Sequence, residues 1–111
     1  MTLYTQDVIL NIPAKKREIN DYEIILTIKN SSLNILVQKK NNSYYFESNF
    51  SESELQQKFK TTSTIDYICD EIYNIIDKNE DFLIEENKDN LKLIFTSNDS
   101  YIELIINISF Q

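Results

Sequence analysis

Hydrophobic and polar residues alternate with a spacing of two at the start of the chain. Val8, Leu10 and Ile12 form the first alternating segment, and Pro13 follows it. Because a period of two places every second side chain on one face of a strand, this segment predicts a β-strand. Proline ends it, since proline has no N–H to donate to a neighbouring strand. We expect the charged residues 14–21 that follow to form a loop.

The same spacing predicts three more strands before residue 50. Asn30-Ser31-Ser32 is a turn between two strands of a hairpin, and Asn41-Asn42-Ser43 is a second turn that leads into an aromatic strand. The apolar residues that define these strands are Ile24, Leu26, Ile28, Leu33, Ile35, Val37, Tyr44, Tyr45 and Phe46. We therefore expect four strands in an antiparallel meander.

A helix is predicted to begin at residue 51, where the spacing changes. Ser51 and Glu54 fit a capping box, in which each side chain accepts a hydrogen bond from the other residue's backbone N–H. Phe50 and Leu55 flank this box at the positions of a hydrophobic staple. These features together predict a helix of two or three turns that ends near residues 61–63.

A second helix is predicted to run to about Lys78. Ser63 is expected to cap it, with Asp66 at the third helical position. An apolar stripe with spacings of three and four follows, made of Ile65, Ile68, Cys69, Ile72, Ile75 and Ile76. Because β-branched residues are poor helix formers, we infer that packing of this stripe stabilises the helix more than intrinsic propensity does.

The spacing of two returns after Asn79 and predicts three antiparallel strands. Their alternating apolar residues are Phe82, Ile84, Leu91, Leu93, Phe95, Ile102, Leu104, Ile106, Ile108 and Phe110. The order ββββ-αα-βββ predicts a single α+β domain over residues 1–111. In this domain the pair of helices covers one side of a small antiparallel β-sandwich or sheet.

The composition excludes several classes of function. The chain has no glycine, no histidine and one cysteine, Cys69. Phosphate-binding loops need glycine, whereas zinc sites and Ser-His or Cys-His nucleophiles need histidine or more cysteines. Cys69 lies within the apolar stripe, where we expect it to fill the core. Binding, scaffolding or a chemistry of carboxylates alone remain, and we expect no enzyme and no cofactor.

The charge argues against nucleic acid and membrane as partners. The net charge is −7, and both partners need Lys or Arg to neutralise phosphates. No signal segment or long apolar run is present, and the cysteine is unpaired, so we predict a cytoplasmic protein. Lys15-Lys16-Arg17 is the only basic cluster, and we expect it to lie in a mobile loop between strands, where it could also bind a partner's carboxylate.

Most of the acidic excess falls in residues 61–111. An acidic patch is predicted on the second helix, made of Asp66, Asp70, Glu71 and Asp77. Such a patch is either a solvated helix face or a docking surface for a basic partner. No spacing supplies the six or more oxygens that calcium prefers, so we expect no metal.

The second face of the predicted strands is unusually apolar. It carries Ile9, Ile25, Leu36, Tyr45, Leu83, Ile94 and Ile105. A sheet buried on both faces would explain these residues. Alternatively, part of this face is an interface with a partner or a second copy, around Tyr101, Glu103 and Ile105 in the last strand.

The order of elements and the helix start Phe50 to Leu55, with its spacing to Ile65 and Phe82, resemble a known family. This family is the N-terminal head domain shared by centriolar cartwheel proteins and end-joining repair scaffold proteins, and such heads also occur in ciliate coiled-coil proteins. The resemblance implies a non-enzymatic head whose last strand continues into a parallel dimeric coiled coil.

The resemblance also implies that heads pair through a hydrophobic side chain on the hairpin between the last two strands. Here that hairpin is 97–100, which has no large apolar residue at its tip, and the nearest candidates are Phe95 and Tyr101. With Glu103 and Ile105, these residues form the predicted interface.

The resulting hypothesis is a docking or weakly homodimerising head of a cytoskeletal, centriolar or scaffold coiled-coil protein. Its partner is a protein, and its location is cytoskeletal. The alternative is a small acidic inhibitor or immunity-type protein that blocks a basic surface of an enzyme or nuclease through the acidic patch.

Overall fold

Seven antiparallel strands form one sheet in the computed structural model, which describes residues 15–40, 42–96 and 100–110. The strands are β1 (Lys15–Ile19), β2 (Tyr22–Lys29), β3 (Ser32–Lys39), β4 (Tyr44–Ser51), β5 (Phe82–Glu86), β6 (Asn90–Phe95) and β7 (Ile102–Phe110). Two helices, α1 (Glu52–Phe59) and α2 (Ile65–Lys78), connect β4 to β5. The strand order across the sheet is β1-β2-β3-β4-β7-β6-β5.

The predicted α+β class and the order ββββ-αα-βββ are confirmed. The described strands belong to a single hydrogen-bonded sheet, so the alternative of a sandwich is not confirmed. The first predicted strand, Val8 to Ile12 with Pro13, lies outside the described residues.

The loop predicted for the basic cluster Lys15-Lys16-Arg17 is wrong. These residues belong to β1, which pairs with β2 in a register that runs from Lys15 opposite Leu26 to Ile19 opposite Tyr22. A tight turn at Asn20 and Asp21, with φ of 50° and 72°, joins the two strands. Two central residues with positive φ are what a two-residue type I′ hairpin turn requires.

The hairpin turn predicted at residues 30–32 is confirmed and has the same form. Asn30 and Ser31 have φ of 51° and 63°. Short polar side chains adopt this left-handed region more readily than bulky ones, which allows a chain without glycine to build both hairpins.

The predicted start of α1 is confirmed. The Ser51 hydroxyl accepts from the Glu54 N–H at 3.1 Å, and the Glu54 carboxylate accepts from the Ser51 N–H at 2.9 Å. Phe50 and Leu55, the residues of the predicted staple, are both buried. The helix ends at Phe59, and the C-cap residue Lys60 has a φ of 52°.

The predicted cap of α2 is wrong. The helix begins after Thr64, whose side chain makes no capping bond, and the Ser63 hydroxyl is instead bonded to the Thr61 hydroxyl at 2.9 Å. Glu52 from α1 takes the capping role, since its carboxylate accepts from the Ile65 N–H at 2.8 Å. A charged acceptor makes a stronger bond than a hydroxyl, and this contact links the first residue of α1 to the first residue of α2.

The apolar stripe of α2 faces the sheet, as predicted. The buried members are Ile65, Ile68, Cys69, Ile72 and Ile76, whereas Ile75 is half-buried. They pack in one core with alternate residues of the strands, which include Ile24, Leu26, Leu33, Ile35, Val37, Phe46, Leu91, Leu93, Leu104 and Ile106. Burial raises the pKa of the Cys69 thiol to about 11, which keeps it protonated and unreactive near neutral pH.

We predict that Ile72→Ala lowers the free energy of unfolding by about 2–5 kcal/mol, because it leaves a cavity at a fully buried position. Asn74→Ala is the control, since Asn74 is exposed on the same helix, and we expect it to change stability by less than about 0.5 kcal/mol. Urea denaturation measures both. Equal effects of the two substitutions would show that α2 does not face the sheet.

Candidate functional site

The outer face of β5, β6 and β7, opposite the core, carries a set of exposed apolar side chains. Leu83 is 60% exposed, Tyr101 64% and Ile105 43%. Ile94, which lies beside Leu83 in the register, is only 5% exposed. We call these four residues the outer-face patch. Neighbouring side chains shield Ile94 at the centre of this patch, whereas Leu83, Tyr101 and Ile105 project outward around it.

The other half of the sheet differs on this face. Its predicted second-face residues Ile25, Leu36 and Tyr45 are half-buried, and Ile9 lies outside the described residues. The idea of a sheet buried on both faces is therefore wrong for β5 and β7, where Leu83 and Ile105 are exposed.

Glu103 is the central polar residue next to the outer-face patch. Its carboxylate accepts from the Tyr101 hydroxyl at 2.6 Å and lies 3.9 Å from the Lys92 ammonium group. The hydrogen bond from Tyr101 to this carboxylate raises the pKa of the Tyr101 hydroxyl. Because these polar groups bind one another, the surface can pack against another apolar surface with less cost of desolvation.

Phe95 does not belong to the predicted interface. It is 1% exposed and lies on the inner face, with its ring centroid 5.3 Å from that of Phe82 and 5.8 Å from that of Phe59. The alternation of the strand explains this, because Ile94 and Phe95 must point to opposite faces. Residues 97–99, for which a hairpin was predicted, lie outside the described residues.

The predicted acidic patch lies on the exposed side of α2. All four of its residues are exposed, namely Asp66, Asp70, Glu71 and Asp77. Lys15 of β1 lies 3.2 Å from the Asp70 carboxylate, and the Arg17 Nε lies 3.2 Å from that of Asp77. The basic cluster thus binds carboxylates of its own chain, and two of the four acidic residues are paired.

The described residues contain no group of three or more His, Cys, Asp or Glu side chains placed to hold a metal ion. A polar groove of about 240 Å³ lies beside the β2–β3 pair and is lined by Glu18, Glu23, Gln38, Lys39, Lys40, Asn42 and Tyr44. Its carboxylates form ion pairs, Glu18 with Lys40 and Glu23 with Lys16. Neither helix of the described ranges has the length and apolar character needed to span a bilayer.

Glu86, at the end of β5, binds residues from three strands of the other half of the sheet. Its carboxylate accepts from the hydroxyls of Tyr22 in β2 and Tyr44 in β4, the latter at 3.1 Å. The Lys39 ammonium group of β3 lies 3.9 Å away. We call these four residues the Glu86 cluster. The sheet therefore curls far enough for an edge strand to reach β2, β3 and β4.

The electrostatics of the Glu86 cluster affect both tyrosines. Burial, followed by the bond to Glu86, raises the pKa of the Tyr22 hydroxyl, and the bond to Glu86 raises that of Tyr44. No sequence pattern indicates this cluster, because its members are up to 64 residues apart and Glu86 is one of several acidic residues expected to be solvated.

One solved structure, the head domain of human CCDC61, is similar to this chain with a TM-score of 0.63. The match covers 90% of this chain and 100% of that one, at 11% sequence identity. The chain has a head-domain fold. This confirms the resemblance at the level of the fold. No protein-family model and no curated protein sequence matches the chain.

We predict that the Glu86 cluster makes stability fall at alkaline pH. The folded-state pKa of Tyr22 and Tyr44 is raised, so the stabilisation is complete below the ordinary tyrosine value of about 10 and is lost as the pH rises above it. Glu86→Gln should lower stability at neutral pH by about 1 kcal/mol and make the alkaline loss less steep.

The measurement is urea denaturation between neutral pH and pH values above the tyrosine pKa. Glu85→Gln is the matched control, since Glu85 is exposed on the same strand, and its pH profile should follow that of the unmodified protein. Parallel profiles for all three proteins would contradict a role for Glu86 in holding these tyrosines protonated.

Proposed function

We propose that this head domain is a non-enzymatic docking domain of a cytoskeletal, centriolar or scaffold coiled-coil protein, and that its outer-face patch binds a second copy weakly. The fold shared with the head domain of human CCDC61 supports a docking role. The observation that carries the proposal is the exposure of Leu83, Tyr101 and Ile105 around the buried Ile94.

The chemistry of the patch suits a protein interface. Protein interfaces typically have an apolar centre and a polar rim, and Tyr is among the residues enriched in them. Glu103 and Lys92 form this rim as an ion pair, so the patch itself brings little uncompensated charge to the contact. A second copy offers the same surface, as a two-fold symmetric contact requires.

The contact is weak on its own. The outer-face patch is small, so the expected affinity of the isolated domain is about micromolar to millimolar. A net charge of −7 on each copy also opposes association. Attachment to a coiled coil would raise the effective concentration of the heads and make such a contact sufficient.

The inhibitor hypothesis has less support. It needs the carboxylates of α2 to bind a basic partner, but Lys15 and Arg17 already pair with Asp70 and Asp77. A partner would have to displace both cations of β1. Exposed ion pairs are weak, so this displacement is feasible, but nothing in the geometry favours it.

We predict that the isolated domain self-associates at high concentration and that Tyr101→Glu with Ile105→Glu abolishes this association. Two carboxylates would then face two others across the contact. Added salt should strengthen association of the unmodified domain, because it screens repulsion between the copies over roughly 10 Å. Sedimentation at two salt concentrations measures both effects.

The control is Thr62→Glu with Asn74→Glu, which adds the same charge at exposed positions away from the patch. It should associate slightly less than the parent at low salt and equally at high salt. A parent that stays monomeric throughout, or a patch variant that associates as the control does, would remove the outer-face patch from the proposal.

A further inference from the structure

Within residues 15–40, 42–96 and 100–110, strand β5 has a hydrogen-bonded neighbour on one side only. It is the last strand in the sheet, next to β6. The Thr96 N–H donates to the Asp81 carbonyl at 2.9 Å, and the Asn87 N–H donates to the Asn90 carbonyl at 2.7 Å. These two bonds define which residues of the strand face β6.

Hydrogen-bonded positions alternate along an antiparallel pair, so positions 81, 83, 85 and 87 direct their backbone groups toward β6. The N–H and C=O groups of Phe82, Ile84 and Glu86 therefore point away from β6, along the edge of the sheet. Such a row of unpaired groups is a template for an additional strand.

The side chains beside this edge define what kind of strand fits. On the outer face, Asp81, Leu83 and Glu85 follow one another at every second residue, and all three are exposed. Asp81 and Glu85 form no ion pair within residues 15–40, 42–96 and 100–110. Lys92 of β6 lies opposite Glu85 in the register, but its ion pair is with Glu103, so these three residues together keep a net negative charge. The edge thus presents one apolar side chain between two carboxylates that form no ion pair in these ranges.

A second copy of β5 fits this edge poorly. Antiparallel pairing centred on Leu83 would place Asp81 of each copy opposite Glu85 of the other, and like charges directly opposite are destabilising. Pairing centred on Ile84 would place Leu83 opposite Glu85. The first register places like charges opposite each other, and the second loses the contact between the two Leu83 side chains.

We propose that the free edge of β5 binds an extended segment of a partner protein that has a basic, an apolar and a basic residue at every second position. Its backbone pairs with Phe82, Ile84 and Glu86. Its apolar side chain lies beside Leu83, and its two basic side chains lie beside Asp81 and Glu85. This interaction goes beyond self-association through the outer-face patch, because it depends on backbone groups of β5.

The test uses a synthetic peptide with the core lysine-threonine-valine-threonine-lysine, blocked at both ends and titrated into the isotope-labelled domain. We expect the backbone amide resonances of Phe82, Ile84 and Glu86 to shift most. Two peptides of equal length serve as controls, one with glutamate in place of lysine and one with every core amide N-methylated. Neither should bind, because the first has the wrong charge and the second cannot pair.

Protein variants separate this site from the other surfaces. Asp81→Asn with Glu85→Gln should weaken peptide binding roughly two- to tenfold, since each exposed ion pair contributes little. Asp66→Asn with Glu71→Gln removes the same charge from α2 and should leave binding unchanged. The variant Tyr101→Glu with Ile105→Glu, which blocks the proposed self-association, should still bind the peptide.

Binding of the N-methylated peptide with the affinity of the parent peptide, or shifts that map to α2 instead of β5, would overturn the proposal. So would a lysine peptide that produces no shifts at all. None of these results bears on self-association, so the two proposals can fail separately.

Discussion

The apolar stripe of α2 is the constraint on which the rest of the structure depends. Among the described residues, the backbone ladder between the two halves of the sheet, β1 to β4 and β5 to β7, consists of three residue pairs of β4 and β7, around Tyr45 and Ser109. One core beneath α2 contains residues of both halves. Each buried isoleucine contributes about 1.5–3 kcal/mol, whereas its intrinsic preference for helix is low. The helix and the curled sheet therefore stabilise each other, and neither is expected to persist alone.

The curl that this packing imposes determines what the outer surface presents. It brings Glu86 from one edge of the sheet to Tyr22 and Tyr44 in the other half, where three polar groups satisfy one another. In the part of the chain that the structure describes, no further element covers the outer face of β5, β6 and β7. Leu83 and Ile105 are exposed there, whereas Phe82, Leu104 and Ile106 on the inner face of the same strands are buried. The candidate surfaces thus arise where the core has no further element to cover the sheet.

The sequence predicted the elements whose residue pattern is set by burial or by local bonds. The stripe around Ile72 and the capping box at Ser51 are of this kind, and both are confirmed. β1 was missed because it is an edge strand whose cations pair with carboxylates of α2, so charge rather than alternation dominates its sequence. Two features were missed because the residues that form them are distant in sequence. They are the bond from the Ile65 N–H to the Glu52 carboxylate and the Glu86 cluster. The wrong prediction for Phe95 was avoidable, because the alternation of residues along β6 places its side chain on the inner face.

The distribution of the acidic residues gives the two proposed interactions different locations. On α2 the excess negative charge is partly neutralised, because β1 supplies Lys15 to Asp70 and Arg17 to Asp77. At the edge of β5, Asp81 and Glu85 form no ion pair within the described residues, although Lys92, which pairs with Glu103, lies opposite Glu85. Charges on an edge strand are a common protection against pairing between copies, and here they act at the place where backbone groups are unpaired. We therefore propose the outer-face patch, where Glu103 and Lys92 form an ion pair, as the contact for a second copy, and the edge of β5 as the contact for a strand of opposite charge.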